Sequence, residues 1–288
     1  MDFPHILIML AIYTLLVSAL NIVLGYGGMI SLCQAVFYGV SAYTTAILTT
    51  WLGWSSIPAM LVSGIVASVV ALILGSISMH FRGNRFVLLT ISLQVIVSAI
   101  VLNWTGVTGG TSGISGIRGP SVFGFMLTTK WEQAGFAVVL AAIALVLLSR
   151  FHDSPYQRAF SAIREDQLAA QSLGKNPKYF RFSALVLASL FSAVAGSLYA
   201  LTTGFIDPTS FTIDESVFIL AALAIGGSGN VRGPLVGAAV AVFLPETLRL
   251  IDIGGGSAAN IRQILYGCAL IIMMRFRPKG LAGNYDLS

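Results

Sequence analysis

Runs of about 18 to 25 mostly apolar residues recur along nearly the whole chain, and that is the length an α-helix needs to cross the hydrocarbon core of a bilayer. They predict nine helices, at about 5–24, 28–50, 57–79, 86–103, 132–149, 182–203, 214–227, 233–250 and 261–275. These runs use up the 288 residues and leave no room for a separate soluble domain, so 1–288 reads as a single unit. Only 9% of the residues are charged, against roughly 25% in soluble domains. The fold class is therefore all-α, a polytopic transmembrane bundle. No ten-residue alternation of the outer-membrane barrel kind is present. The seventh run is short and ends in Gly226-Gly227-Ser228-Gly229, which predicts a broken or partly re-entrant helix. The start, Met1-Asp2-Phe3-Pro4-His5, has no basic region and no small-residue cleavage site follows, so the first span is expected to be retained.

The net charge is +5, yet the basic residues are scattered between spans with no basic stripe, which argues against nucleic acid and for lipid as the surroundings. Lys and Arg near span ends stay on the cytoplasmic side of a membrane. With the C-terminus inside, twelve of the sixteen fall there, Arg150, Arg158, Arg164, Lys175, Lys178 and Arg181 among them. Only Arg118, Lys130, Arg249 and Arg262 fall outside, together with the acids Asp207, Asp214 and Glu215. No acid, Lys or Arg is expected at mid-membrane depth, which disfavours a proton- or sodium-driven carrier. The two cysteines, Cys33 and Cys268, lie inside apolar runs as small buried hydrophobes, and the three histidines are too dispersed for a metal site.

Residues 150–181 form the longest inner connection, far beyond the two to eight residues that usually join packed helices. Within it, 154–175 predicts a short helix, opened by Ser154-Pro155 and stopped by Gly174 with Pro177 beyond. Plotted at helical spacing, Ala159, Ala162, Ile163, Ala169, Ala170 and Leu173 share one arc, with Asp166 among them and Arg164, Leu168 and Gln171 elsewhere. Such a helix either lies solvated on the membrane surface or docks in a protein groove. Alanines add little membrane affinity but permit close approach, which favours a protein partner.

Leu168-Ala169-Ala170 followed by Gly174 has the spacing of the cytoplasmic EAA loop of ATP-binding-cassette (ABC) importer permeases, with Leu168 where that motif carries Glu and with Glu165 and Asp166 upstream. The surrounding "RAFSAIREDQLAAQSLGKN" (158–176), with "NIVLGYGGMISLCQAVFYGVSAY" (21–43), "RGNRFVLLTISLQVI" (82–96), "LNWTGVTGGTSGI" (102–114), "IGGSGNVRGPLVGA" (225–238) and "RFRPKGLAG" (275–283), resembles the hydrophobic amino acid uptake family, the branched-chain amino acid importers. The Asn-Trp-Thr and Gly-Gly block resembles the M-type permease rather than its H-type partner. The resemblance implies a multi-pass subunit of a prokaryotic inner membrane. It also implies an H-type permease as heterodimer partner, two cytoplasmic ABC ATPases and an extracytoplasmic solute-binding protein. Arg158, Arg164, Glu165, Asp166, Leu168, Ala169, Ala170 and Gly174 would then form the ATPase-coupling segment.

Neither the glycine-rich 108–116 stretch nor Gly174-Lys175-Asn176 matches a phosphate-binding loop, so this chain is not expected to hydrolyse ATP, and it calls for no cofactor or metal and no catalytic residue. Inside the spans the polar residues are uncharged. Ser31, Gln34, Tyr38, Tyr43 and Gln94 serve either as interhelical hydrogen-bonding groups or as a mildly polar path for an amphiphilic solute. Gly233 and Gly237 offer a small face for helix packing. Branched-chain or other hydrophobic amino acids are the expected solutes, with urea or short-chain amides as the alternative within the family.

Overall fold

The computed structural model describes residues 3–78, 81, 83–122, 125–250 and 281. Helix α1 (Phe3–Leu20) runs on into a π-helical turn at Asn21–Tyr26. It is followed by α2 (Gln34–Thr50), α3 (Ser56–Ser78), α4 (Asn84–Asn103) and a single turn, α5 (Thr105–Thr108). Next come α6 (Lys130–His152), the two short helices α7 (Pro155–Glu165) and α8 (Gln167–Ser172), and α9 (Pro177–Thr203). A 3₁₀ turn at Pro208–Phe211 leads into α10 (Ile213–Gly226) and α11 (Arg232–Leu250). Two small antiparallel pairs cap the end far from the 153–176 loop: β1 (Ile114–Ser115) with β4 (Phe205–Ile206), and β2 (Ser121–Val122) with β3 (Phe125–Met126).

Among the described residues, five helical stretches are long and apolar enough to cross a membrane alone: Phe3–Tyr26, Ser56–Ile77, Asn84–Asn103, Lys130–His152 and Pro177–Thr203. The predicted run at 28–50 starts late, at Gln34, because Gly27 and Gly28 end the π turn and Gly28 takes a φ of +64°. Pro177 lies beyond the stop at Gly174 and, with Asn176 as cap, also opens α9, where a missing N–H costs nothing. The ninth run, 261–275, lies outside the described residues.

Helix α1 is the axis of the bundle, packed against α6, α9, α10 and α11, and most of its length is buried. Helix α2 lies in the angle between α3 and α9. Gly196 allows that approach, since a Cβ there would run into Ser41 Oγ and the Tyr38 carbonyl. Helices α10 and α11 meet in the same manner, with Gly226 against Gly237, so the glycines foreseen as a packing face do serve as one. The outward faces of α3, α4 and α6 carry Leu61, Ile65, Leu88, Ile96, Ile143 and Leu147, apolar and exposed, as lipid or another subunit requires.

Candidate functional site

Two places gather the residues singled out from the sequence. The first lies within the bundle, where the chain turns back after α9. Phe211 is driven into the middle of α2 and stacks on Tyr38, Tyr43 and Tyr199, with ring centroids 5.0, 5.8 and 5.9 Å apart. Gly39 makes room, because a Cβ there would sit 2.9 Å from Phe211 Cβ. Gln94, half-way along α4, donates to the Phe211 carbonyl at 2.9 Å, and the Ala35 N–H donates to Ser216 Oγ at 2.9 Å. Those bonds hold the start of α10 inside the bundle. With 14 residues, at about 1.5 Å each, α10 spans only about 21 Å, so it is the half-length helix anticipated for the seventh run.

The path candidates Ser31, Gln34, Tyr38, Tyr43 and Gln94 are all buried. Gln34 donates to Ser192 Oγ across the α2–α9 contact, Ser31 pairs with Cys33 at 3.2 Å, and Gln94 staples α4 to the re-entrant turn. Gln34 Oε1 and the Tyr43 hydroxyl have no hydrogen-bond partner among the described residues. Tyr38, Tyr43 and Gln94 converge on Phe211, while Ser31 sits apart, one residue from where Leu32 N–H meets Thr90 Oγ1 at 3.2 Å.

One expectation is corrected here. Glu215 was assigned to the outside, and no acid was expected at depth. Because α10 begins part-way down, Glu215 in its first turn accepts a hydrogen bond from Tyr13, the eleventh residue of the 24-residue run Phe3–Tyr26. At about 1.5 Å per residue this lies about 15 Å below the start of α1, near the middle of a core about 30 Å thick. Tyr13 also stacks edge-on against Phe218 of α10 at 5.3 Å.

The second place is the loop joining α6 to α9. Ser154 caps α7 through the Gln157 N–H at 3.2 Å, with Pro155 at the first helical position, as the sequence indicated. The segment is not one helix, however. Asp166 takes an extended conformation and its carboxylate accepts the Leu168 and Ala169 N–H groups at 2.8 and 3.0 Å, which closes α7 and opens α8. That break resets the register, so the single arc drawn through the alanines does not exist. Ile163 and Ala170 turn inward with Phe160, Phe180 and Tyr26, Ala170 being only 3% exposed. Ala162 and Ala169 face outward, and Leu168 and Leu173 are 77% and 80% exposed. Arg158, Glu165 and Asp166 are exposed as well. Gly174 ends α8 at a φ of +76°, in open space.

Arg164 departs furthest from expectation. Its guanidinium donates to the Gly25 carbonyl in the π turn, and its stem lies against Gly28. The π turn leaves end carbonyls facing the loop, and a cation at a helix C-terminus is favoured. Asn21 in the same turn takes the Gly229 N–H at 2.9 Å and donates to the Asn230 carbonyl at 2.8 Å, bolting the α10–α11 connection to α1. Loop, α1 and α10 are thus joined at one point. Sequence reasoning did not find Tyr13, Asn21, Gly25 or Glu215 as a connected set. A polar residue within a long apolar run, such as Asn21, was the signal present.

The family described as branched-chain amino acid transport system / permease component matches residues 4–274. The high-affinity branched-chain amino acid transport system permease protein LivM of Escherichia coli K12 is 30% identical over 94% of this chain and 67% of its own length. The probable branched-chain amino acid transport permease protein LivM of Methanocaldococcus jannaschii is 24% identical over 92% of the chain and 84% of its own. The autoinducer 2 import system permease protein LsrC of E. coli O9:H4 is 27% identical over 65% and 57%. No solved structure matches.

Proposed function

The chain belongs to the family of branched-chain amino acid transport system permease components, and on that footing we propose that it carries branched-chain or other hydrophobic amino acids through the membrane as the M-type half of a heterodimer. It is a multi-pass membrane subunit of an ABC importer, working with ATPase subunits and a binding protein. The full proposed assembly has an H-type partner permease, two ATPases at the loop end and a solute-binding protein at the far end. ATP hydrolysis resides in the partners.

The observation that carries the coupling role is the pair Leu168 and Leu173, two leucines standing free on a short helix that is capped at both ends. An exposed leucine alone means little, but here the two project from a loop that is itself anchored by Arg164, Phe160 and Ala170. Leu168, Ala169 and Leu173 form the face presented to the ATPase, with Glu165 and Arg158 at its edge. Arg164 and Ala170 hold the loop to the bundle. When ATP draws the ATPases together, the rigid loop moves with them, and through Gly25 and Asn21 the motion reaches α1 and α10.

The test is to express Leu168→Asp/Leu173→Asp with the whole importer. The permease should insert at the wild-type level, because the bundle is untouched, while co-purification of the ATPases and leucine uptake fall at least tenfold. Wild-type uptake in that variant would overturn the docking face.

A further inference from the structure

Among the described residues, Glu215 is an ionisable side chain placed deep in the bundle that the coupling argument leaves unused. A carboxylate at this depth costs several kcal/mol in a chain that could have placed Gln or Leu there, so a positive counterpart is expected. Among the described residues no Lys or Arg supplies it; the Tyr13 hydroxyl is the group that meets the carboxyl. The surroundings are aromatic instead. Tyr13 and Phe218 stack at 5.3 Å, and Tyr38, Tyr199 and Phe211 form a three-ring cluster with centroids 5.0 to 5.9 Å apart, joined to the start of α10 through Gln94, which meets both the Phe211 carbonyl and the hydroxyl of Ser216, the residue next to Glu215. Glu215 is also partly open to its surroundings, whereas Ser216 and Ile219 on the same turns of α10 are sealed.

A carboxylate beside aromatic rings is chemistry that recognises an ammonium group, since the negative faces of rings add to an ion pair. We propose that Glu215, set at mid-depth by the re-entrant start of α10 and flanked by Tyr13 and the Tyr38–Tyr199–Phe211 rings, receives the α-ammonium group of the solute as it crosses. The inference rests on the amino-acid permease reading and deepens it. It makes this pathway selective for a solute that carries a positive group, as an amino acid does and as urea or a short-chain amide does not. The binding protein selects what is delivered, and Glu215 then acts on the crossing step.

The experiment uses the complete importer in proteoliposomes, with its ATPases, partner permease and binding protein, and radiolabelled leucine. Glu215→Gln keeps the shape and the acceptor for Tyr13 but removes the charge. It should lower the maximal rate of leucine uptake at least tenfold, leave the half-saturating leucine concentration unchanged, and leave ATP hydrolysis stimulated by loaded binding protein. Glu215→Asp should retain uptake within about threefold, because the charge remains. Leucine uptake by Glu215→Gln at the wild-type rate would overturn the inference and leave the permease reading standing. Loss of complex yield and of stimulated ATP hydrolysis in both variants would assign Glu215 a structural role and overturn it too. A wild-type importer that takes up urea or acetamide but not leucine would instead sink the amino-acid reading, and this inference with it.

Discussion

Arg164 and Ala170 behave at the residue scale as anchors. The Arg164 guanidinium donates to the Gly25 carbonyl at the end of the π turn, and Ala170 is buried in one cluster with Phe160 and Phe180. Ala170→Arg would therefore push a charge into the chain's own packing, at a cost on the order of several kcal/mol unless α8 swings away. The expected result is a loop that is cut early in limited proteolysis, even in the isolated subunit. Asp207, in the connection after β4, lends itself to a pH prediction. Burial pushes its carboxyl up, but hydrogen bonds from Ser210 at 2.6 and 3.1 Å and from Thr209 at 2.7 Å outweigh that and hold it below the ordinary aspartate value. A carboxyl lowered on folding stabilises above its unfolded pKa, roughly 3.9, and that stability is lost as pH falls through the folded value. The thermal midpoint of the purified protein should fall less on acidification in Asp207→Asn than in the wild type.

The informative element is α10. Its sequence alone is an apolar stretch with acids in the first turn, which favours a helix start but says nothing of depth. Depth is set by what the preceding turn packs into, namely the notch at Gly39 and the Gln94 amide. Gly39→Leu should expel Phe211, loosen the start of α10 and lower thermal stability by about 1 to 3 kcal/mol, the usual cost of overpacking. At the other end of α10, Asn21→Leu would take the Asn21 acceptor from the buried Gly229 N–H, at about 1 to 3 kcal/mol, and its donor from the part-buried Asn230 carbonyl. If Asn21 is the joint between loop and α10, that variant should also uncouple ATP hydrolysis from uptake in the assembled importer. Tight coupling with only a drop in melting temperature would confine it to stability.

At the scale of the whole molecule, the three helices α3, α4 and α6 present apolar outer faces, to be covered by lipid or by another subunit. Uptake is expected to need ATP and the partner subunits. Purified alone in liposomes under a proton gradient, the chain should accumulate no leucine. Accumulation would revive the carrier alternative, whose strongest objection, the lack of an acid at depth, no longer holds now that Glu215 is placed. Membership of the importer family answers that alternative on other grounds.

Run length and polarity are local properties, and they determined the class of this protein: helices in a bilayer, a long loop rich in charge and small residues, and a seventh helix too short to span. The caps at Ser154 and Gly174 were legible for the same reason, since a cap is settled by the few residues around it. The tertiary structure alone decided what those pieces face. The hydrogen bonds from Leu168 and Ala169 N–H to the Asp166 carboxylate split the loop helix and put Ala169 outside and Ala170 inside, and no periodicity shows such a break in advance. The depth of Glu215 and the union of Arg164 with Gly25 join residues more than a hundred positions apart in sequence. Helical spacing tells which residues share a face, but the partner of that face is chosen by packing among all the helices at once.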